Sequence, residues 1–468
     1  MKKLIISVTV ILLCIALIGP KLAGNSLNQS LDNYAEALNS SGVYKIDIND
    51  RSESWFNTSA ILTLRVVIPE AFDQPESEIF SVDIDFKAQH GPILTDNGVG
   101  LGWVSWTTSA AGDSLGALIN VEEDGPLYFA SGKIGIFGGG TSISDKMLPF
   151  TYTDPETQVT MSVNGWEGNG FFGNDSTSYS GEFGGMNVNA GEVLETTLGN
   201  WEFRLDADAS YMDIVEGKLY NGTIGFTLDS LKVNNEIDNS VVNITNFMLE
   251  AITSLDSTND TADIQTNFQV ERLDATEMLI EQIQLNTQIN KLSQSFARAY
   301  QQMNNDILQE PERAAETMQD FMQEHLLVQL QTEPEFNITQ LEAQVDGGNF
   351  SMVSNNKLSG INSLPDTMED PAYWLQHTVS DTQLTVDKPA ALFIAKQVLK
   401  AQLANNPQIA DMEEAQFNEL LTQQSEATLG GLVQQGMLSE TENGFTMSFS
   451  LSGGKAELNG NPMPLPIQ

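Results

Sequence analysis

From Tyr44 to about Asn267, apolar residues recur at every second position in short runs broken by Gly, Asn, Asp and Pro. A period of two means a strand with one buried face, and this pattern limits the chain more than any other feature. Tyr44, Ile46 and Ile48 alternate with Lys45, Asp47 and Asn49; Ile61 to Ile68 ends at Pro69, which has no N–H to give a ladder; Phe80, Val82, Ile84 and Phe86 lead to Gly91-Pro92. Further strands are expected at Leu127 to Phe129, Val159 to Val163, Trp201 to Asp208 and Thr223 to Leu231. Parallel pairing needs long crossovers, usually helical, and the short turns here leave room for none, so the sheet is read as antiparallel.

From Glu277 the period lengthens. Leu285, Ile289, Leu292, Phe296, Ala299 and Met303 step by three and four, and Pro311 opens a second segment with Ala314, Ala315, Met318, Phe321, Met322 and Leu326 inward, so an αα-hairpin is expected. Its stripe suits either a dimer seam or a sheet face, and the sheet face is favoured. Strands return at Phe336 to Val345, Gly348 to Val353 and Leu384 to Val386. A helix then starts at Pro389, and after Asn405-Asn406-Pro407 another runs through Phe417, Leu420 and Leu421 towards Met437. Phe445, Met447, Phe449 and Leu451 alternate into a closing hairpin with turns at Gly453-Gly454 and Asn459-Gly460. The expected class is α+β: an extended antiparallel β-sheet body with helical hairpins packed on it, plus one N-terminal transmembrane helix. Residues 1–24 are read as anchor, 25–276 as mainly β, 277–332 as helical hairpin, 333–387 as β, 388–440 as helical and 441–468 as terminal hairpin and tail.

The anchor rests on Lys2-Lys3, the apolar run Leu4 to Ile18 and Gly19-Pro20-Lys21, the flank pattern of an exported bacterial protein whose bulk lies in the periplasm. Retention is favoured over cleavage, because Leu22-Ala23-Gly24 before Asn25 offers a small residue at −1 but a Leu at −3. The run is short beside the roughly 20 residues of a spanning helix, and Gly19 with Leu22 to Gly24 extends it while Lys21 snorkels. Leu13 before Cys14 argues against a lipoprotein site, so Cys14, the single cysteine, is read as buried in the membrane, and no disulfide can form within the chain. Beyond Asn25, Leu27, Leu31, Tyr34 and Leu38 have helical spacing, as for a short helix leaving the bilayer.

With 63 acidic residues against 21 basic ones, the formal charge is −42. Nucleic acid and anionic headgroups both require a basic face, so neither is expected as a partner.

Residues with chemistry are sparse. His90, His325 and His377 are far apart, no cysteine remains outside the apolar run, and no nucleophile elbow, metalloprotease motif or calcium loop occurs. Pairs such as Glu122-Glu123 or Asp206 and Asp208 are what so many acids give by chance. The glycines between Gly132 and Gly199, including Gly138-Gly139-Gly140 and Gly165 to Gly170, have no Lys-Ser/Thr after them and no βαβ unit around them, so they are read as bends and bulges. Catalytic, cofactor-binding and metal residues are left unassigned, and no cofactor is expected.

Arg51-Ser52-Glu53-Ser54-Trp55-Phe56-Asn57-Thr58-Ser59 after a strand, then His90-Gly91-Pro92-Ile93, together with Leu458-Asn459-Gly460 and Met463 at the far end, resemble the YdgA-like family of bacterial inner-membrane proteins. Ser52 departs from that pattern, which usually has Gly there. The resemblance implies one periplasmic YdgA-like domain over 25–468 on a single-pass inner-membrane anchor, with a homodimer as one arrangement, and it brings no catalytic residues. His90, Gly91 and Pro92 are its sharpest motif. The motif is either a polar contact point at a strand end or a turn set by Gly91-Pro92 with His90 capping the strand. The function expected is that of a non-enzymatic envelope protein binding a protein partner or a lipid chain; the alternative is a periplasmic hydrolase. An apolar trough would favour the first and a cleft joining histidines to carboxylates the second.

Overall fold

The computed structural model describes residues 2–39, 44–68, 77–96, 99–111, 119–121, 125–137, 139–191, 193–237, 239–276, 278–403 and 414–465. Pro69, Glu122-Glu123, Gly138, Glu277 and Asn405-Asn406-Pro407, and the side chains of residues 1–17 with Cys14 among them, lie outside that description. The chain forms two compact units, the first made of Met1–Thr227, Asn234–Ile237 and Ala297–Glu324, the second of the remainder.

In the first unit, one antiparallel sheet passes through Tyr44–Glu53, Asn57–Ile68, Ser77–His90, Val104–Ala110, Tyr128–Ile134, Gly140–Met147, Trp166–Gly173, Thr177–Phe183 and Trp201–Ala207, each strand pairing with the next. Directly opposed residues share a face, so Ala60, Phe86 and Thr108 stand in one row and Val104, Ile134 and Thr141 belong to the same face. Ala60, Leu62, Phe86, Ala88 and Val104 form a buried core there, and Ala23, Leu27 and Leu31 of a long helix, α1 (Lys2–Asn39), pack against it. The spacing noted at Leu27, Leu31, Tyr34 and Leu38 therefore belongs to a helix laid on the sheet. Burying each Leu of this kind is worth up to about 1.5–3 kcal/mol. A short helix, α2 (Tyr211–Val215), is held by a capping box between Ser210 and Asp213. Among the described residues no helix is long and apolar enough to cross a membrane.

The glycines do more than bend the chain. Gly165 and Gly185 are indeed turn residues at φ 96° and 94°, but Gly132, Gly168 and Gly181 sit inside strands of unbroken register. A methyl group on Gly132 would lie 2.3 Å from the Trp106 indole, and one on Gly181 would lie 1.9 Å from that of Trp166. The glycines leave space for large rings to lie flat on the sheet.

The second unit is also antiparallel, through Ser240–Asp256, Thr261–Ala275, Met278–Ser293, Glu335–Val345, Gly348–Leu358, Thr378–Asp387 and Gly444–Ser452. Leu249, Phe268, Leu285, Leu341, Met352, Leu384 and Met447 form a single cross-strand row. Helices Lys388–Leu403 and Glu414–Gln434 cover the end of this face around Val345, Val386 and Phe445. The closing hairpin is as expected, with Asn459 and Gly460 both at positive φ, 52° and 75°, the conformation of a type I′ turn. One short strand, Asn461–Met463, follows at its edge despite Pro462.

One expectation is overturned here. Leu285, Ile289 and Leu292 do not form a helical stripe: Met278–Ser293 is a strand, and the helix begins only at Gln294. Bulges at Gln282 and Lys291, both at positive φ (52° and 61°), each insert one residue, so apolar residues three apart stay on one sheet face and imitate helical spacing. The helical part consists of Gln294–Gln309, a 3₁₀ turn at Pro311–Arg313 and Ala314–Gln331. Met303 and Phe321 are buried as expected, whereas Met318 is exposed.

Candidate functional site

The two sequence motifs meet at one place, the seat of α1. Thr58, from the first motif, and His90, from the second, lie on neighbouring strands and are 1% and 2% exposed, with Thr58 Oγ1 and His90 Nε2 3.1 Å apart. The other ring nitrogen, Nδ1, has no hydrogen-bond partner and faces Gly24 of α1, where a methyl group would come within 2.5 Å of it. Eight residues further along the same helix, Asp32 accepts two hydrogen bonds from the Arg51 guanidinium, at 2.5 and 3.2 Å. That bond holds the Asp32 carboxyl below its ordinary range. Gly19 brings α1 equally close to Trp103, whose ring would lie 2.9 Å from an added methyl. Small residues of the helix thus set its distance from the sheet, and the motif residues fix its position along it.

Gly91 and Pro92 act through the backbone. The Gly91 N–H donates to the Trp103 carbonyl at 2.7 Å, the Gly102 N–H donates to that of Pro92 at 3.1 Å, and the Gly91–Pro92 peptide is cis. The strand of His90 thus ends in the turn made by Gly91 and Pro92, and its ring meets a threonine hydroxyl through Nε2 and packs against a helix glycine on the Nδ1 side.

Burial pushes the His90 pKa below its ordinary value; Lys21 acts the same way, while the Trp55 backbone carbonyl and Glu53 oppose them. Above the ordinary imidazole value of about 6.5, His90 is neutral in both folded and unfolded chain and its contribution is fully present. As pH falls, the unfolded chain takes up a proton that the folded chain holds less readily, so stability is lost as pH falls through the folded pKa. Thermal unfolding at about pH 7.5 and about pH 5.5 should therefore show a wild-type decline that is reduced in His90→Gln. An equal decline in both would assign the pH dependence to other groups.

Beside this seat, α1 and the sheet line a partly open cavity of about 880 Å³, within the range of roughly 300–1,000 Å³ usual for small-molecule sites. Ile18, Leu22, Leu27, Phe86, Trp106 and Ile143 contribute apolar walls, and Ser26, Ser30, Tyr34 and Tyr211 contribute hydroxyls. Among the described residues no lining side chain is charged. Next to it on the same sheet face, Asp145 accepts hydrogen bonds from Tyr179 (2.8 Å), Trp166 (2.8 Å) and Tyr128 (3.2 Å). Burial, reinforced by Asp145, pushes both tyrosine hydroxyls well above their ordinary pKa, so they remain donors at neutral pH.

The other histidines are placed elsewhere. His325 lies within the helix Ala314–Gln331, and His377 ends the helix Pro371–His377 with Nδ1 2.8 Å from the Ser359 carbonyl. No group of three or more His, Cys, Asp or Glu able to hold a metal occurs among the described residues. Sequence reasoning missed Gly24, Tyr211 and Asp145. Asp145 was visible as a carboxylate on the inward phase of the alternating run Thr141, Ile143, Asp145, Met147.

A largely antiparallel sheet protein with an apolar, uncharged cavity walled by its first helix is the class that this geometry defines. Over residues 1–466 the chain matches the family described as Bacterial protein of unknown function (DUF945), and it belongs to that family. No curated protein and no solved structure matches it.

Proposed function

We propose that the chain is a membrane-anchored, non-enzymatic envelope protein that holds the apolar chain of a lipid between α1 and the sheet face of the first unit. The observation that carries this reading is the cavity along α1, none of whose described lining side chains is charged. A lipid chain lying along α1 would meet no charged side chain among the described walls. Lys2-Lys3 and the resemblance to YdgA-like proteins support a single-pass anchor with the bulk in the periplasm. His90 faces a threonine and a helix glycine, which favours a structural role over a hydrolytic one.

A photo-crosslinking amino acid, p-benzoyl-phenylalanine, placed at Ser26 in the intact cell tests the reading. A lipid adduct detected by mass spectrometry at Ser26, and absent from the exposed position Ser448, is expected. No adduct at Ser26 would sink it. N-terminal sequencing of the membrane-extracted protein tests the anchor, since a mature start near Asn25 would mean that it is cleaved.

A further inference from the structure

The described walls of the cavity differ along α1: Ile18 and Leu22, with Trp103, are apolar, whereas at the far end Tyr34, with Tyr211 and Thr141, adds hydroxyls. Ile18 and Tyr34 are about 24 Å apart along the helix. At the far end, the Tyr34 and Tyr211 rings meet edge to face at 5.8 Å, and Tyr211 is stacked on Phe172 at 4.6 Å, which fixes its direction. Neither hydroxyl has a hydrogen-bond partner among the described residues. Burial raises both phenol pKa values, and no carboxylate or cation contributes to either.

A phosphate or carboxylate drawn into this cavity would lose part of its water with no cation on the described walls to replace it, in a chain whose formal charge is −42. A hydroxyl or ester loses far less, and two phenols can donate to it. We infer that the occupant is an uncharged long-chain lipid, a fatty alcohol or acylglycerol, with its apolar chain along α1 and its polar end at Tyr34 and Tyr211. This rests on the reading of the cavity as a lipid-chain site.

The test uses the full chain with p-benzoyl-phenylalanine at Ser26, mixed with phosphatidylcholine vesicles carrying one probe at a time: monopalmitoylglycerol, palmitate, palmitoyl lysophosphatidylglycerol or hexadecane. The glycerol ester should give about tenfold more adduct than either charged probe, an advantage of the size expected for one unpaired polar group. Changing Tyr34→Phe and Tyr211→Phe together should remove most of that advantage and leave the hexadecane adduct unchanged. Charged probes labelling as well as the ester, or a Phe pair that leaves the ester's advantage intact, overturns the assignment while keeping the lipid-chain site. No adduct from any probe, hexadecane included, overturns both.

Discussion

Gly91→Ala is expected to lower the melting temperature of the first unit by roughly 6–12 °C, the equivalent of about 3 kcal/mol in a body of this size. A methyl group at this position would lie 1.6 Å from the Gly102 carbonyl oxygen. The obstacle is main chain, so no side chain can turn aside to admit it. Moving the Gly102 main chain away would stretch the two backbone hydrogen bonds that join Gly91 to Trp103 and Gly102 to Pro92. Both lie directly after His90, so the α1 seat should loosen with them: protease cleavage within residues 25–39 should rise in the variant. A melting temperature within about 2 °C of wild type would show that the turn tolerates a shift that its hydrogen bonds do not suggest.

The second large effect is expected at Asp145. Removing its carboxylate leaves the Tyr128 and Tyr179 hydroxyls and the Trp166 indole N–H without their common acceptor, beneath a face where Asp145 itself is only 8% exposed. Tyr179 can still accept from Trp166, at 3.1 Å, so the loss is partly relieved. Asp145→Ala should cost about 3–5 kcal/mol and flatten the near-ultraviolet circular dichroism of the packed indole. Asp145→Asn, which keeps one acceptor oxygen and the shape, should fall between Ala and wild type. If Ala and Asn were equally mild, the three donors would have to be satisfied by water, and the cluster would contribute little to holding the sheet.

Much of the β architecture was legible because alternation survives wherever one face is buried: Val82 to Phe86 and Phe445 to Leu451 read correctly for that reason. The strand Met278–Ser293 read wrongly because two bulges shift its phase, and a shifted strand and a helix have similar apolar spacing over a dozen residues. The motif residues were visible as positions but their partners were not. Nothing adjacent in sequence connects His90 to Gly24, and the cavity exists only because α1 returns over strands that follow it in the chain. Asp145 was lost among 63 acidic residues, although its place on an inward phase distinguished it from the rest.

The glycines beneath the indoles make distant positions depend on one another. At Gly181 the constraint comes from the ring of Trp166, and at Gly132 from that of Trp106; in neither case does it come from the main-chain conformation, since both stand in regular strands. A lineage that replaced Trp166 by a small residue would release position 181 from glycine, and one that kept the tryptophan could not. Substitution at these sites is therefore conditional: the ring can go first, and a change of glycine should survive only where the ring has already gone.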